Sequence, residues 1–501
     1  MSGFSPGRFL PPLFLVFLLT SAPNVALGDQ APPAPVSADT LARARALSAK
    51  GDLSAARRLL ENALAASPRD GKIALALAQT LVQLQEFAAA EDVLRRLVAS
   101  LPKRPEPHRL LSLTLLRTGR AAEALEEARA ALALDAKSPE SFFVLGTASN
   151  AAGQPAAAIP AFRRVLASRP KDIGALHGLA RAYAALEDPQ AKDIYERLIA
   201  AAPKNALLRL DFVEYLWGAD EHDRGNAEME RLLAQTPESP KLRAHYGINL
   251  AEQRKFVRAA GELEGALRAG VQDYEVLYFL GEALLECGRF EEAIERFRSA
   301  ITLAPEKVAA RHLLGKVLLR EKPGEAVTEL ERAVEVDPRS AEVRLDLGRA
   351  YEAAGNFEKA EAAYRKTLEL DPNLNNAHYT LGTLLARQGR REEAREHITL
   401  YQTAFEKGQE ERHRDISRRA ELNRGWTLLR QNKPAEALKQ FQRRPDDLEA
   451  LHGAARALSK LSRHAEAAKT YERALSLAPE DARLKWELQK EQALLRPSRK
   501  K

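Results

Sequence analysis

Small residues recur along this chain with a period of 34, and no other property of the sequence restricts its fold as tightly. Glycines stand at Gly247, Gly281, Gly315, Gly348 and Gly382, at steps of 34, 34, 33 and 34. Alanines form a second ladder: Ala56, Ala90, Ala124, Ala158, Ala191, then Ala259, Ala293, Ala326, Ala360, Ala394, and finally Ala437 and Ala467, with Gly225 at the interrupted rung. Prolines form a third: Pro68, Pro102, Pro170, Pro203, Pro237, Pro305, Pro338, Pro372 and Pro479. Proline lacks an N–H and turns the preceding residue away from helix, so this ladder marks the unit ends. Within the unit Tyr274 to Lys307, Leu277, Leu280 and Leu284 make one helical stripe, Gly288 and Arg289 break it, and Ala293, Ile294, Phe297 and Ala300 make a second. So short a hairpin cannot cover both stripes alone, whereas stacked copies can. The sequence therefore predicts an all-α array of helix hairpins, with alanine where the two helices of a unit cross.

An early small residue, alanine near position 20, an aromatic at 24 and proline at 32 resemble the tetratricopeptide repeat, whose length is 34 residues. The aromatic position is held by Phe162, Tyr195, Phe297, Tyr364, Phe441 and Tyr471. That family's early tryptophan is absent, and its tyrosine at position 11 survives at Tyr183 and Tyr351. The resemblance runs over residues 37 to 479, about thirteen repeats, and implies a right-handed superhelical solenoid. Asp481 to Leu495, with Leu484, Leu488 and Leu495 on one face and Arg483, Lys485, Glu487 and Lys490 over the rest, reads as the polar-backed capping helix a solenoid requires.

Taken in order, residues 1–28 read as a secretory signal peptide: Arg8, an apolar core from Phe9 to Leu19, and a small-residue site at Ala26-Leu27-Gly28. A membrane span needs about 20 apolar residues and Pro11-Pro12 interrupt this one, so cleavage before Asp29 is expected, with an uncleaved anchor as the alternative. No cysteine follows the core to accept a lipid. These features fit a periplasmic or secreted protein of a bacterial envelope, with no stable membrane insertion after cleavage. Residues 29–36 read as a Pro-rich linker and 37–408 as the main array of about eleven repeats. The fifth and ninth repeats are one residue short, near Asp188-Pro189 and Lys322-Pro323, and the sixth is the least regular. Residues 391–419 read as one longer helix, of which 409–419 form a charged connector and a hinge is expected there. Residues 420–495 hold two terminal repeats and the capping helix, and 496–501 a basic tail.

Chemistry is scarce. The net charge of +7 is a small excess over 76 basic and 69 acidic residues that are interspersed, which does not point to nucleic acid. The single cysteine, Cys287, excludes an intramolecular disulfide and a paired-thiol zinc site, and reads as a small apolar filler. No HExxH, GxSxG or GxGxxG occurs, and Gly315-Lys316 is followed by Val317, so neither catalysis nor a bound cofactor is expected. The acidic turn Asp220 to Asp223, with His222, lacks EF-hand spacing and reads as a solvated loop. His177, His312 and His452 share position 5 of their repeats but lie too many repeats apart to converge on one metal ion.

The resemblance implies a scaffold for protein or peptide partners, with position 5 of the first helix facing the concave groove. Phe143, His177, Tyr278, His312, Tyr379 and His452 stand there. The family's core positions are separately filled by Leu277, Leu280, Gly281 and Leu284, which leaves position 5 for a ligand. Tyr278→Ala with Tyr379→Ala is then expected to weaken partner capture and leave melting nearly unchanged. Arg109 is the basic residue at position 5, but its position 9 neighbour is Leu113 rather than asparagine, so a free peptide carboxylate is not expected to matter. The alternative is a spacer subunit of a polysaccharide export or pilus assembly machine.

Overall fold

The computed structural model of the chain describes residues 35–495. The signal peptide read over 1–28, most of the 29–36 linker and the 496–501 tail lie outside the described residues. Among the described residues there are 26 helices and no strand. They follow one another as thirteen helix pairs, from Pro35–Ala49 with Leu53–Ala66 to Leu448–Lys460 with His464–Leu477, and end in the helix Ala482–Leu495. The eleventh and twelfth pairs share a single 40-residue helix, Arg391–Arg430. The stretch read as a charged connector, 409–419, lies inside it without a break. No proline stops the chain there, and open space surrounds Gly408.

The three ladders have three physical jobs. Every alanine rung is at most 3% exposed, because a larger side chain at the crossing would push the two helices apart. The glycine rungs make room for the side chain that faces them, which is Leu263, Leu330 or Ile398 at Gly247, Gly315 and Gly382 and a ring of the aromatic position at the other two. A Cβ built on Gly281 would lie 2.7 Å from the Phe297 ring, and one on Gly348 would lie 2.4 Å from Tyr364, so each ring lies directly on bare backbone. All six rings of the aromatic position are at most 2% exposed. The prolines follow directly on the residue that caps the second helix, as Pro305 follows Ala304. The turn between the two helices uses a left-handed residue in every pair but the ninth, as at Gly288 (φ +77°) in the eighth pair and Glu187 (φ +48°) in the fifth.

A polar ladder that the sequence reading missed runs beside the apolar ones. Arg120 Nη1 donates to Glu91 at 2.6 Å in the preceding repeat while its Nη2 donates to Glu123 at 2.5 Å in its own. Arg289 links Glu264 and Glu292 at 2.7 and 2.6 Å, and Arg390 links Glu361 and Glu393 at the same distances. The interspersed charges are therefore partly a set of arginine forks joining the second helices of neighbouring repeats.

The chain divides into two compact units, one of residues up to Gly218 together with those from Tyr471 onward, the other Ala219–Thr470. The first division falls in the turn of the sixth pair, Ala206–Gly218 and His222–Gln235, the repeat whose sequence is least regular. In the first unit the core includes a cluster around Leu77, Leu94 and Leu115 and another around Phe162, Tyr183 and Tyr195. In the second, Tyr364, Leu381 and Leu384 form one cluster, and Leu422, Phe441 and Ala457 another.

Candidate functional site

Within each unit the first helices of successive repeats touch, so their exposed sides make a strip. Polar rungs cross it. Arg109 Nη1 donates to Ser138 and Ser141 Oγ at 3.2 and 3.1 Å, and Asn150 Nδ2 donates to the Gly178 carbonyl at 2.8 Å. Arg109 is thus buried and committed inside the protein, at 8% exposure.

Two crossings repeat one design. His177 Nε2 lies 2.9 Å from Asp211 Oδ2, and His312 Nε2 lies 2.8 Å from Asp346 Oδ2. Each histidine is at position 5 of a shortened repeat, the fifth or the ninth, and each aspartate stands 34 residues on, near the middle of the next first helix, Ala206–Gly218 or Ala341–Ala353. Both aspartates are 6% exposed. Burial presses the Asp211 carboxyl upward, but the His177 hydrogen bond and charge, Arg181 and the Tyr195 hydroxyl outweigh it, and its pKa lies below the usual value. For Asp346 burial is likewise outweighed, by His312, Arg349 and Lys316. The Tyr195 hydroxyl donates to Asp211 at 2.8 Å, and burial with this carboxylate lifts the phenol's pKa well above its usual value. Its ring stacks on Phe212 and Tyr215. Arg349 Nη1 donates to Asp346 at 2.9 Å. Sequence reasoning placed the two histidines and missed both partners, although the equal separation of 34 was available as a signal.

The other position 5 residues do not form one site. Phe143 is half-buried, its ring edge-on to Phe162 at 6.1 Å. Tyr278 is half-buried among Tyr274, Phe279 and Phe297, with centroids at 5.8, 5.1 and 6.4 Å. Burial, and then Glu282, push its hydroxyl up to about 12. His452 is 5% exposed and edge-on to Trp426 at 5.4 Å. Tyr379 alone of the six is open, at 49% exposure, and it continues through Tyr401 (5.1 Å) to Phe405 (6.0 Å further) on the long helix. Between its buried ends, Ala394 and Leu422, that helix also exposes Leu400 and Ile416.

Among the described residues no group of three or more His, Cys, Asp or Glu side chains could hold a metal ion. Asp223 of the acidic turn is paired with Lys255 at 2.8 Å. Cys287 caps the helix Tyr274–Glu286 and is half-buried. No helix among the described residues is long and apolar enough to cross a membrane.

Sequence profiles of the tetratricopeptide repeat match residues 47–113, then seven stretches that fall in two overlapping runs, 109–206 and 247–450, then 448–481. The matches leave out 207–246, the irregular sixth pair that holds the division between units. No curated protein sequence matches the chain. Among solved structures, YrrB, described as a TPR protein with an unusual peptide-binding site, is 23% identical over 36% of this chain and 95% of its own, with a TM-score of 0.34. A MamA structure is 25% identical over 33% of this chain and 96% of its own, with a TM-score of 0.31. MamA from Desulfovibrio magneticus RS-1, residue 41 to its end, is 28% identical over 34% and 96%, with a TM-score of 0.32.

Proposed function

The chain belongs to the tetratricopeptide repeat family, and from that membership we propose that it is an exported scaffold that binds a protein or peptide along the strip of its first helices and so assembles a complex of the cell envelope. Scaffolds of this kind are typical of non-enzymatic proteins that bind other proteins or peptides. The observation that carries the reading is Tyr379, an exposed ring at position 5 that continues into Tyr401 and the exposed Phe405. Aromatic side chains give much contact area for little lost side-chain freedom, and such rings anchor interfaces. In the second unit Tyr278 and His312 border the strip with part of their surface while His452 stands behind it, and in the first unit Phe143 and His177 are likewise half-buried. The ligand is held by side chains along its length rather than by its terminal carboxylate, since Arg109 already bonds to Ser138 and Ser141.

Export rests on the pattern of residues 1–28, and sequencing the mature N-terminus tests it: Asp29 is expected, and intact Met1 in washed membranes would contradict it. Binding is tested by affinity purification of the full chain and of Tyr379→Ala from the cells that make it. The variant is expected to lose at least tenfold of the co-purified protein without a change in melting. Equal recovery would remove Tyr379 from the interface.

A further inference from the structure

The last helix, Ala482–Leu495, is built into the first unit far from its neighbours in sequence. Arg483 pairs with Glu187. Trp486 Nε1 and Lys490 Nζ both donate to Asp188 Oδ2, at 3.4 and 3.2 Å, and the Trp486 ring packs on the core cluster around Phe162, Tyr183 and Tyr195. Arg483, Trp486 and Lys490 stand at i, i+3 and i+7, on one helix face. All three meet the turn of the fifth repeat, Leu186 to Pro189.

That turn is shaped by its own repeat. Asp188 N–H donates to the Tyr183 carbonyl at 2.9 Å, Ala191 N–H donates to the Asp188 carbonyl at 2.9 Å, and Asp188 Oδ1 accepts from Gln190 N–H at 2.9 Å. One carboxylate oxygen thus holds the turn while the other serves the incoming helix. Asp188 is only 4% exposed, so the helix covers it. The helix itself buries few residues, Leu484, Glu487 and Glu491, and leaves Leu494 and Leu495 62% and 48% exposed. A preformed acceptor that holds a thinly buried helix by one ring and two cations has the character of a binding site and its ligand, and such a contact opens at low cost.

We propose that the fifth-repeat turn is a docking site for a short amphipathic helix presenting Arg, Trp and Lys at i, i+3 and i+7, and that the chain's own last helix is its resident ligand. The site is then closed to other helices until residues 482–495 leave, and a partner helix with the same face displaces them. This surface is distinct from the position 5 strip.

The test is a fluorescence anisotropy titration with a labelled peptide of residues 480–495 against full-length proteins. In the wild type the tethered helix competes at high effective concentration, so peptide binding is weak. Trp486→Ala with Lys490→Ala empties the site, and the peptide is expected to bind at least tenfold more tightly. Adding Asp188→Asn, which retains an acceptor for Gln190, is expected to abolish most of that gain. Unchanged amide exchange in the helices Ile173–Ala185 and Gln190–Ala201 confirms that the turn still folds. Glu187→Gln, in place of Asp188→Asn, leaves the bond from Gln190 N–H to Asp188 untouched and is expected to give a smaller loss in the same direction. No gain on emptying the site, or a gain that survives both Asp188→Asn and Glu187→Gln, overturns the proposal.

Discussion

The fifth and ninth hairpins are the two that the sequence shortens by one residue, and they share one feature and differ in another. In both, a position 5 histidine reaches a buried aspartate 34 residues on, His177 to Asp211 and His312 to Asp346. Their turns differ. The fifth presents Glu187 and Asp188, which receive the last helix, whereas the ninth presents an exposed Lys322 and then Pro323, which has no carboxylate to offer, at the corresponding place. A crossing follows from helix register together with histidine and aspartate 34 residues apart, and it recurs in both shortened repeats. A docking site follows from two or three side chains at one turn, about which the register says nothing.

The largest expected effect separates the two crossings. Asp211→Ala leaves the buried Tyr195 hydroxyl without its acceptor, and unsatisfied buried donors cost about 1–3 kcal/mol, so the helix Ala206–Gly218 should lose about 2–3 kcal/mol of local stability. Asp346→Ala should cost about 1–2 kcal/mol in the helix Ala341–Ala353, because the 37% exposed side chain of Arg349 can turn to water. Site-resolved amide exchange measures both, and equal losses would erase the distinction.

A smaller effect should distinguish the turns. Inserting glycine after Glu187 restores a 34-residue repeat and displaces Asp188, so trypsin should cut after Lys485 and Lys490 about tenfold faster, tracking the opened population. The same insertion after Lys322 should leave those cuts unchanged. Faster cutting in both would mean that the last helix responds to array length and not to turn chemistry.

Acid should separate the crossings from a third contact. Asp211 and Asp346 have folded pKa values below their unfolded value near 3.9, so their contribution is complete above that value and is lost only as pH falls through the folded pKa. His397 behaves in the opposite sense. Its Nδ1 lies 3.0 Å from His378 Nδ1, and burial, followed by His378, holds its pKa below the usual 6.5 in spite of Glu396 and Glu393, with Arg365 adding to the depression. The unfolded chain therefore takes up that proton first, and the eleventh pair should loosen as pH falls below about 6.5. Exchange from pH 7 to 5, corrected for intrinsic rates, should rise around His378 and His397 while both crossings hold. The reverse order would contradict these assignments.

The smallest effect is at Tyr379. Its exposure predicts that Tyr379→Ala changes stability by no more than about 0.5 kcal/mol, whereas Tyr278→Ala, which opens a cluster of four rings, should cost about 1–3 kcal/mol. Thermal melting of the single variants would show whether the two tyrosines belong to one class, as position 5 alone suggests, or to two.

What was legible in the sequence is what the period amplifies. No single alanine announces a helix crossing, but ten in phase from Ala56 to Ala394 do, and these, with Ala437 and Ala467, are all buried as a crossing requires. The seating of Phe297 on Gly281 was not read from the sequence, although Gly348 and Tyr364 repeat the pair at the same separation of 16. The His–Asp crossings were half legible: the histidines shared a phase, but aspartate in the middle of the next first helix reads as an ordinary polar residue unless both crossings are compared. The contact of Trp486 and Lys490 with Asp188 was not legible, since it spans almost 300 residues, occurs once, and joins residue types that pass for solvent-facing charge on a capping helix. Position 5 was only partly informative, because the same register places Tyr379 in the open and His452 under Trp426, according to which helix lies next to it.

The comparison between the two shortened repeats rests on Asp188, and amide exchange of residues 482–495 in the full chain tests it most directly. Asp188→Asn is expected to lower protection of that helix at least fivefold, while Asp346→Asn leaves it as in the wild type. Protection that is unchanged by Asp188→Asn, or lowered equally by both, would contradict the assignment of the fifth-repeat turn as the seat of the last helix.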